Sequence, residues 1–407
     1  MQPHQDTEAK KAESKTTSEP VNGNGSGTRL CNLIIEVRQH IRQFVPAGLH
    51  SFRCLSKEFE ATTKRIKIRR EPGNPKPNLV ALRRLLLNKN PSAHPAEYIF
   101  NELDLNRVAL GNQGLTRLCK ILQHPNCCVT TLRLNDNWIS DIQCLGGLVH
   151  LEHVDLWDNE IANITALAGL VRLKSINLRN NRVNNIASLR HLTQLEVLDL
   201  SYNQFPDLSS LEALVRLESL TVENNQIKDI TSLTGLTELK FLNLNGNSIA
   251  SIDSLAGLVH LQILNLQKNK IANIAAVEHL VCLKELYLNK NRIKDIHSIR
   301  SCIHLKILKL GNNEIENFSS ALLRQLVLVE DLCLQGNQIT TIPNLQRLCK
   351  LKFLDLSGNT VTNSTSLCSL TQLEELGVGD VTEADFTVLR EHLVNCVIFV
   401  DKGLVDV

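Results

Sequence analysis

Aromatic residues are scarce, 4% of the 407 positions against 43% apolar, and there is a single methionine. That balance suits a core built from Leu and Ile. No run of about 18 apolar residues occurs, so no segment has the length and apolarity of a spanning helix. No secretory leader precedes the first charged residues, and the expectation is a chain that stays inside the cell. Twelve cysteines are scattered along it. No two stand three apart, most sit where a small apolar residue would serve, and Cys302 takes a leucine slot. Reduced thiols in the cytosol, with the nucleus as the alternative, follow. In that compartment the sequons at Asn163, Asn317 and Asn363 carry no weight. Phosphate-loop and H-E-x-x-H patterns are missing. The glycines at 23, 25 and 27 lie in a polar tail, not at a strand–helix turn. His150, His260 and His304 each precede a repeated asparagine by nine residues, which makes them periodic surface positions. No Ser/His/Asp or Cys/His set stands out. Neither an enzyme nor a bound cofactor or metal is expected.

What is present is a repeat. Asparagines stand at 137, 159, 181, 203, 225, 247, 269, 291 and 313, each 22 residues after the last, then at 337 and 359. Apolar residues fall eight, five and three positions before each asparagine and two, five, eight and eleven after it. Around Asn225 these are Leu217, Leu220, Val222, Ile227, Ile230, Leu233 and Leu236. "LNL" alternates like a short strand, "NGN" or "QKN" makes a tight turn, and "ITSLTGLTEL" has the spacing of an irregular or 3₁₀-like return. One unit cannot bury its own apolar face; a stack can. The asparagine then has a structural task. At the corner after the strand, backbone groups turn inward without a ladder partner, and an amide offers two donors and an acceptor to satisfy them in its own coil and the next. Asn137, Asn159, Asn181, Asn203, Asn225, Asn247, Asn269, Asn291, Asn313, Asn337 and Asn359 form such a ladder.

The pattern L-x-x-L-x-L-x-x-N-x-I-x-x-I-x-x-L-x-x-L resembles the leucine-rich repeat in its 22-residue form, familiar from bacterial internalins and from the leucine-rich regulatory subunit of protein phosphatase 1. The match covers about residues 129 to 380. Residues 100–137 hold a longer copy with a helical segment at "GNQGLTRLCKILQ", similar to the ribonuclease-inhibitor type, with Val108 at its corner. The resemblance implies an α/β solenoid: a curved array with a parallel sheet on its concave face and short helical or 3₁₀ turns on its convex side. "TEADFTVLREHL" and "CVIFV" predict a short helix and a last strand, a C-terminal cap over 381–407. The leucine-rich repeats then occupy 100–380.

Ahead of the array, residues 1–27 are polar and read as a disordered tail. "RLCNLIIEVRQHIRQFV" and "LHSFRCLSKEFEATTKRI" have helical apolar spacing around the break "PAG", so 28–65 is expected to be a small α-helical hairpin. It either caps the first coil or is an F-box-like module, whose pattern "LIIEVRQHIRQFVPAGLHSFRCLSKEF" resembles. The F-box resemblance implies Skp1 docking through Ile35, Val37, Ile41, Phe44 and Val45, and a role as substrate adapter of a Skp1–cullin ubiquitin ligase. Residues 66–99 follow as a basic linker and helix. No aromatic residue interleaves its basic residues, so nucleic-acid binding is not expected.

Function is expected on the concave face, at positions two and four before each corner. At those positions and at the residue just before the corner, Asp155, Trp157, Asp158, Asp199, Tyr202 and Glu223 form an acidic patch around aromatics, and Lys268, Tyr287, Lys290 and Lys309 a basic end. Trp157 among carboxylates has the character of a protein-binding hot spot, or of a rim residue packed on its neighbours. The expected molecule is a monomeric interaction scaffold that binds a protein, with a phosphatase catalytic subunit as one kind of partner, and no membrane.

Overall fold

A computed structural model of the chain describes residues 64–67 and 100–400, apart from 126, 128, 318, 320, 321, 323 and 380. The hairpin residues Ile35, Val37, Ile41, Phe44 and Val45 and the helix expected in the basic linker lie outside the described residues. Within them a single open, curved sheet of fifteen parallel strands runs in strict chain order. It opens with Lys64–Lys67 and Phe100–Asp104, continues through eleven three-residue strands from Thr131–Arg133 to Phe353–Asp355, and closes with Glu375–Val378 and Val397–Val400. Lys64–Lys67 corrects the sequence reading. The sequence places that stretch at the end of the hairpin and the start of the linker, but it pairs parallel with Phe100–Asp104 and so begins the sheet one strand earlier.

Each central strand buries its middle residue and turns its two neighbours away from the core. Leu220, Leu242 and Leu264 stand in direct register and are fully buried. The same line continues through Leu286 and Leu308. A β-strand alternates faces with period two. The strand starts one residue earlier than "LNL" suggested: it is Phe241–Asn243, not Leu242–Leu244. One more side chain per coil therefore stands on the open face.

The return legs are the expected tight 3₁₀ turns, such as Thr231–Leu233 and Asp253–Leu255. In the long first copy a helix, α1 (Gly111–Leu122), takes their place and buries Leu115, Leu118, Cys119 and Leu122. At the other end α2 (Glu383–His392) is N-capped by Thr382, whose hydroxyl accepts from the Asp385 N–H at 3.1 Å. One continuous apolar core runs from Leu103 to Val400. Burying each Leu or Ile in it contributes on the order of 1.5–3 kcal/mol, and only stacking makes that burial available.

The asparagine ladder is present, with one correction. Asn247 Nδ2 donates to Leu244 O in its own coil and to Val222 O of the preceding coil, both at 3.0 Å, and Oδ1 accepts from the Ile227 N–H at 3.1 Å. The reach is backward along the chain, not into the next coil. Val108, a corner without an asparagine, is served from outside: its N–H and that of Leu110 both donate to Asn137 Oδ1 at 3.1 Å. Asn225 breaks the pattern. Its Nδ2 makes the usual bonds, but its Oδ1 is buried with no partner among the described residues. The slot that should serve it holds Phe205, followed by Pro206.

Candidate functional site

The open face of the sheet carries three rows of side chains, two, four and six positions before each corner. The rows at two and four were expected. The row at six follows from the strand register, which aligns Val197, Ser219, Phe241, Ile263, Glu285, Ile307, Asp331, Phe353, Glu375 and Val397. Val197, Phe241, Ile263, Ile307 and Phe353 are all half-buried there. They put apolar side chains on a face that is otherwise polar, Phe241 beside Ile263 and the others separated by Ser219, Glu285 and Asp331. The signal was available in the sequence, as an apolar residue directly before the buried strand leucine in "FLNL", "ILNL" and "ILKL".

In the first half of the face, the expected acidic patch centres on Glu223, which is ion-paired and hydrogen-bonded to its neighbours. Glu223 Oε1 accepts from Asn245 Nδ2 at 2.8 Å, Asn224 Nδ2 at 3.0 Å and the Tyr202 hydroxyl at 3.1 Å. Its Oε2 accepts from Asn243 Nδ2 at 3.3 Å and lies 3.7 Å from the Arg179 guanidinium. That guanidinium also sits 4.5 Å from the centre of the Tyr202 ring, a cation–π contact. Arg133 pairs with Glu102 at 2.7 Å in the same way. Asp199 and Asp155 bend back on their own chains, accepting from the N–H groups of Ser201 and Trp157 at 2.9 and 3.2 Å. Burial pushes both carboxyls above the usual carboxylate range. Trp157 is half-buried. Asp158 lies at the turn and accepts from Asn180 Nδ2 at 2.6 Å.

At the second half the basic end does not assemble as expected. Tyr287 is 3% exposed and donates its hydroxyl to Glu285 at 2.7 Å; burial drives its pKa well up. Lys309 is 7% exposed and pairs with Asp331 at 2.5 Å. Both are held down by a neighbouring acid and offer little to a partner. Lys268 and Lys290 remain exposed, but at left-handed turn positions (φ 52° and 59°) on the rim.

Sequence reasoning also passed over Trp138. It sits between buried Asn137 and Ile139, has φ 55°, and is 64% exposed. Its flanking pair of buried residues already required its side chain to point outward. Among the described residues no three metal-ligating side chains gather, and no helix is long and apolar enough to cross a membrane.

With this geometry in place, comparison with known proteins is direct. Leucine-rich-repeat family models match residues 193–235, 237–279 and 283–323, residues 149–205, and residues 126–142 and 347–364. The chain belongs to the leucine-rich-repeat proteins. An internalin from Listeria monocytogenes shares 28% identity, with 70% of this chain and 81% of that one covered and a TM-score of 0.63. A leucine-rich-repeat protein from Leptospira interrogans shares the fold at 22% identity, with 83% and 99% covered and a TM-score of 0.60. No curated protein matches the chain in sequence. In leucine-rich-repeat terms, the row of apolar residues and the Glu223 network occupy the concave face of the solenoid.

Proposed function

We propose that this leucine-rich-repeat protein is a non-catalytic intracellular scaffold that grips a protein partner on its concave face. The observation that carries this reading is the set of half-buried apolar residues in one open-face row, the adjacent Phe241 and Ile263 with Val197, Ile307 and Phe353, lying beside the Glu223–Arg179–Tyr202 network. Removing apolar side chains from water on association is favourable in proportion to the apolar area buried, and apolar groups gathered on an otherwise polar surface mark interaction sites. Tyr and Arg next to them are residue types that dominate binding energy at interfaces. The solenoid presents these groups on one continuous surface.

A more specific reading, a substrate adapter of a Skp1–cullin ubiquitin ligase, rests on the helical spacing of residues 28–59 and their F-box-like order. A phosphatase-regulator role rests on the kinship of the repeats alone. Affinity capture from the cell of origin separates these readings. Four chains are compared: intact, lacking residues 1–63, Phe241→Glu with Ile263→Glu, and Tyr202→Ala with Trp157→Ala. A partner bound by the intact chain and lost with either pair of concave substitutions, each variant still folded by circular dichroism, supports concave binding. Skp1 and a cullin lost only with the deletion support the adapter reading. A partner indifferent to both pairs of substitutions refutes the concave site.

A further inference from the structure

Two thiols meet where the long first coil stacks on the coil after it. Cys119 lies on the buried face of α1 and is 1% exposed. Cys144 lies in the 3₁₀ turn Gln143–Gly147 of the next coil and is half-buried. Their Sγ atoms are 2.7 Å apart, with the Cys119 thiol donating to the Cys144 sulfur.

The repeat register shows that this meeting is particular to one coil. Cys144 occupies the position seven residues after its corner asparagine. The equivalent residues in the following coils are Ala166, Ser188, Ser210, Ser232, Ser254, Ala276 and Ser298. The slot takes a small residue, and two of the serines use it to bond the preceding coil's backbone: Ser254 and Ser298 donate to Ile230 O and Ile274 O at 3.1 and 2.9 Å. Among these eight coils a cysteine stands in the slot only where the neighbouring layer is α1 and carries Cys119.

We propose that Cys119 and Cys144 are a dithiol modification site that closes to a disulfide under a thiol–disulfide oxidant such as glutathione disulfide. Cys144, the more accessible, attacks first. Its thiolate forms a bond to one glutathione sulfur, the glutathione S–S bond breaks, and one glutathione leaves as a thiol. Cys119 then gives up its proton, and its sulfur attacks the Cys144 sulfur and displaces the second glutathione. Two protein thiols are oxidised to one disulfide while glutathione disulfide is reduced to two glutathiones. The geometry assigns the roles, because the attacking sulfur must be reachable from solvent and the resolving sulfur must already touch it. The hydrogen bond from Cys119 favours the Cys144 thiolate and lowers its pKa in keeping with that order. The product ties α1 to the first 22-residue coil.

The test uses the full chain, reduced with dithiothreitol, desalted, exposed to glutathione disulfide and then alkylated. Peptide mass mapping should find a Cys119–Cys144 link as the main product, reversed by dithiothreitol. The link should persist in Cys282→Ser and be lost in Cys144→Ser. Cys144 carrying a stable glutathione adduct while Cys119 is alkylated would overturn the proposal. So would a link from either residue to another cysteine as the main product, or two alkylated thiols at 119 and 144. All of these are read on the wild-type chain, so a poorly folding variant does not blur the outcome.

Discussion

Asn247 and Asn225 occupy the same slot in adjacent coils, and their bonds predict different costs on mutation to alanine. Removing the Asn247 amide leaves most of its partners served. Val222 O keeps Asn225 Nδ2, Leu244 O keeps Asn269 Nδ2, and Asn245 O keeps the Asn224 N–H. The Ile227 N–H is different: it is buried and donates to Asn247 Oδ1. Stranding a buried donor costs about 1–3 kcal/mol. Asn225→Ala strands nothing comparable. Leu200 O keeps Asn203, Val222 O keeps Asn247, and Glu223 O keeps the Tyr202 N–H. Its buried, partnerless Oδ1 is removed with it. Asn247→Ala should therefore be the more destabilising of the two by roughly 1–2 kcal/mol. Urea titration followed by circular dichroism reads this as a lower midpoint at equal slope, and amide exchange at Ile227 should accelerate in Asn247→Ala alone. Equal losses for the two variants would refute the one-orphan argument, and a larger loss for Asn225→Ala would refute the bonding pattern itself.

Two further predictions concern pH. Asp199 is an acid whose folded pKa is raised by burial, so the folded protein prefers it protonated, and its contribution to stability falls as pH rises through that raised value. Asp199→Asn keeps the acceptor for the Ser201 N–H, as Asn177, Asn243 and Asn265 do for their own chains. It should stabilise the protein at pH 7 and lose that advantage below pH ~4, where Asp199 is protonated folded or unfolded; a destabilised variant at pH 7 would mean that the Arg179 attraction outweighs burial. His153 is the opposite case: burial holds its pKa down to about 4. The unfolded chain takes up its proton near pH 6.5, so stability should fall between pH ~6.5 and ~4, by up to about 3 kcal/mol for this group. His153→Gln should flatten that part of a thermal-melt pH series, and an unchanged slope would show that His153 charges freely in the folded state.

The solenoid was legible because its determinants are local and repeated. A strand leucine, a left-handed turn and a corner asparagine recur every 22 residues, so one correct coil predicts the rest. The capping helix and last strand were legible too, from "TEADFTVLREHL" and "CVIFV". The concave face was legible only in part. Placing the strand one residue late hid the row that contains Phe241 and Phe353, since a strand shows alternate residues to one side. Tyr287 and Lys309 looked available because each stands at an outward position. Each is instead bonded to a nearby acid: Glu285 belongs to the same strand as Tyr287, and Asp331 to the strand beside Lys309.

By itself the sequence determined the architecture, the direction of each side chain from the sheet and the purpose of the asparagines, because period and polarity act within one coil. Contacts between coils decided the rest: which charges are paired, which amide oxygen is left without a donor, and which cysteines touch. Those pairs are 20 to 44 residues apart along the chain but only one or two strand spacings apart in the sheet, and their chemistry is set by the neighbour that stacking supplies.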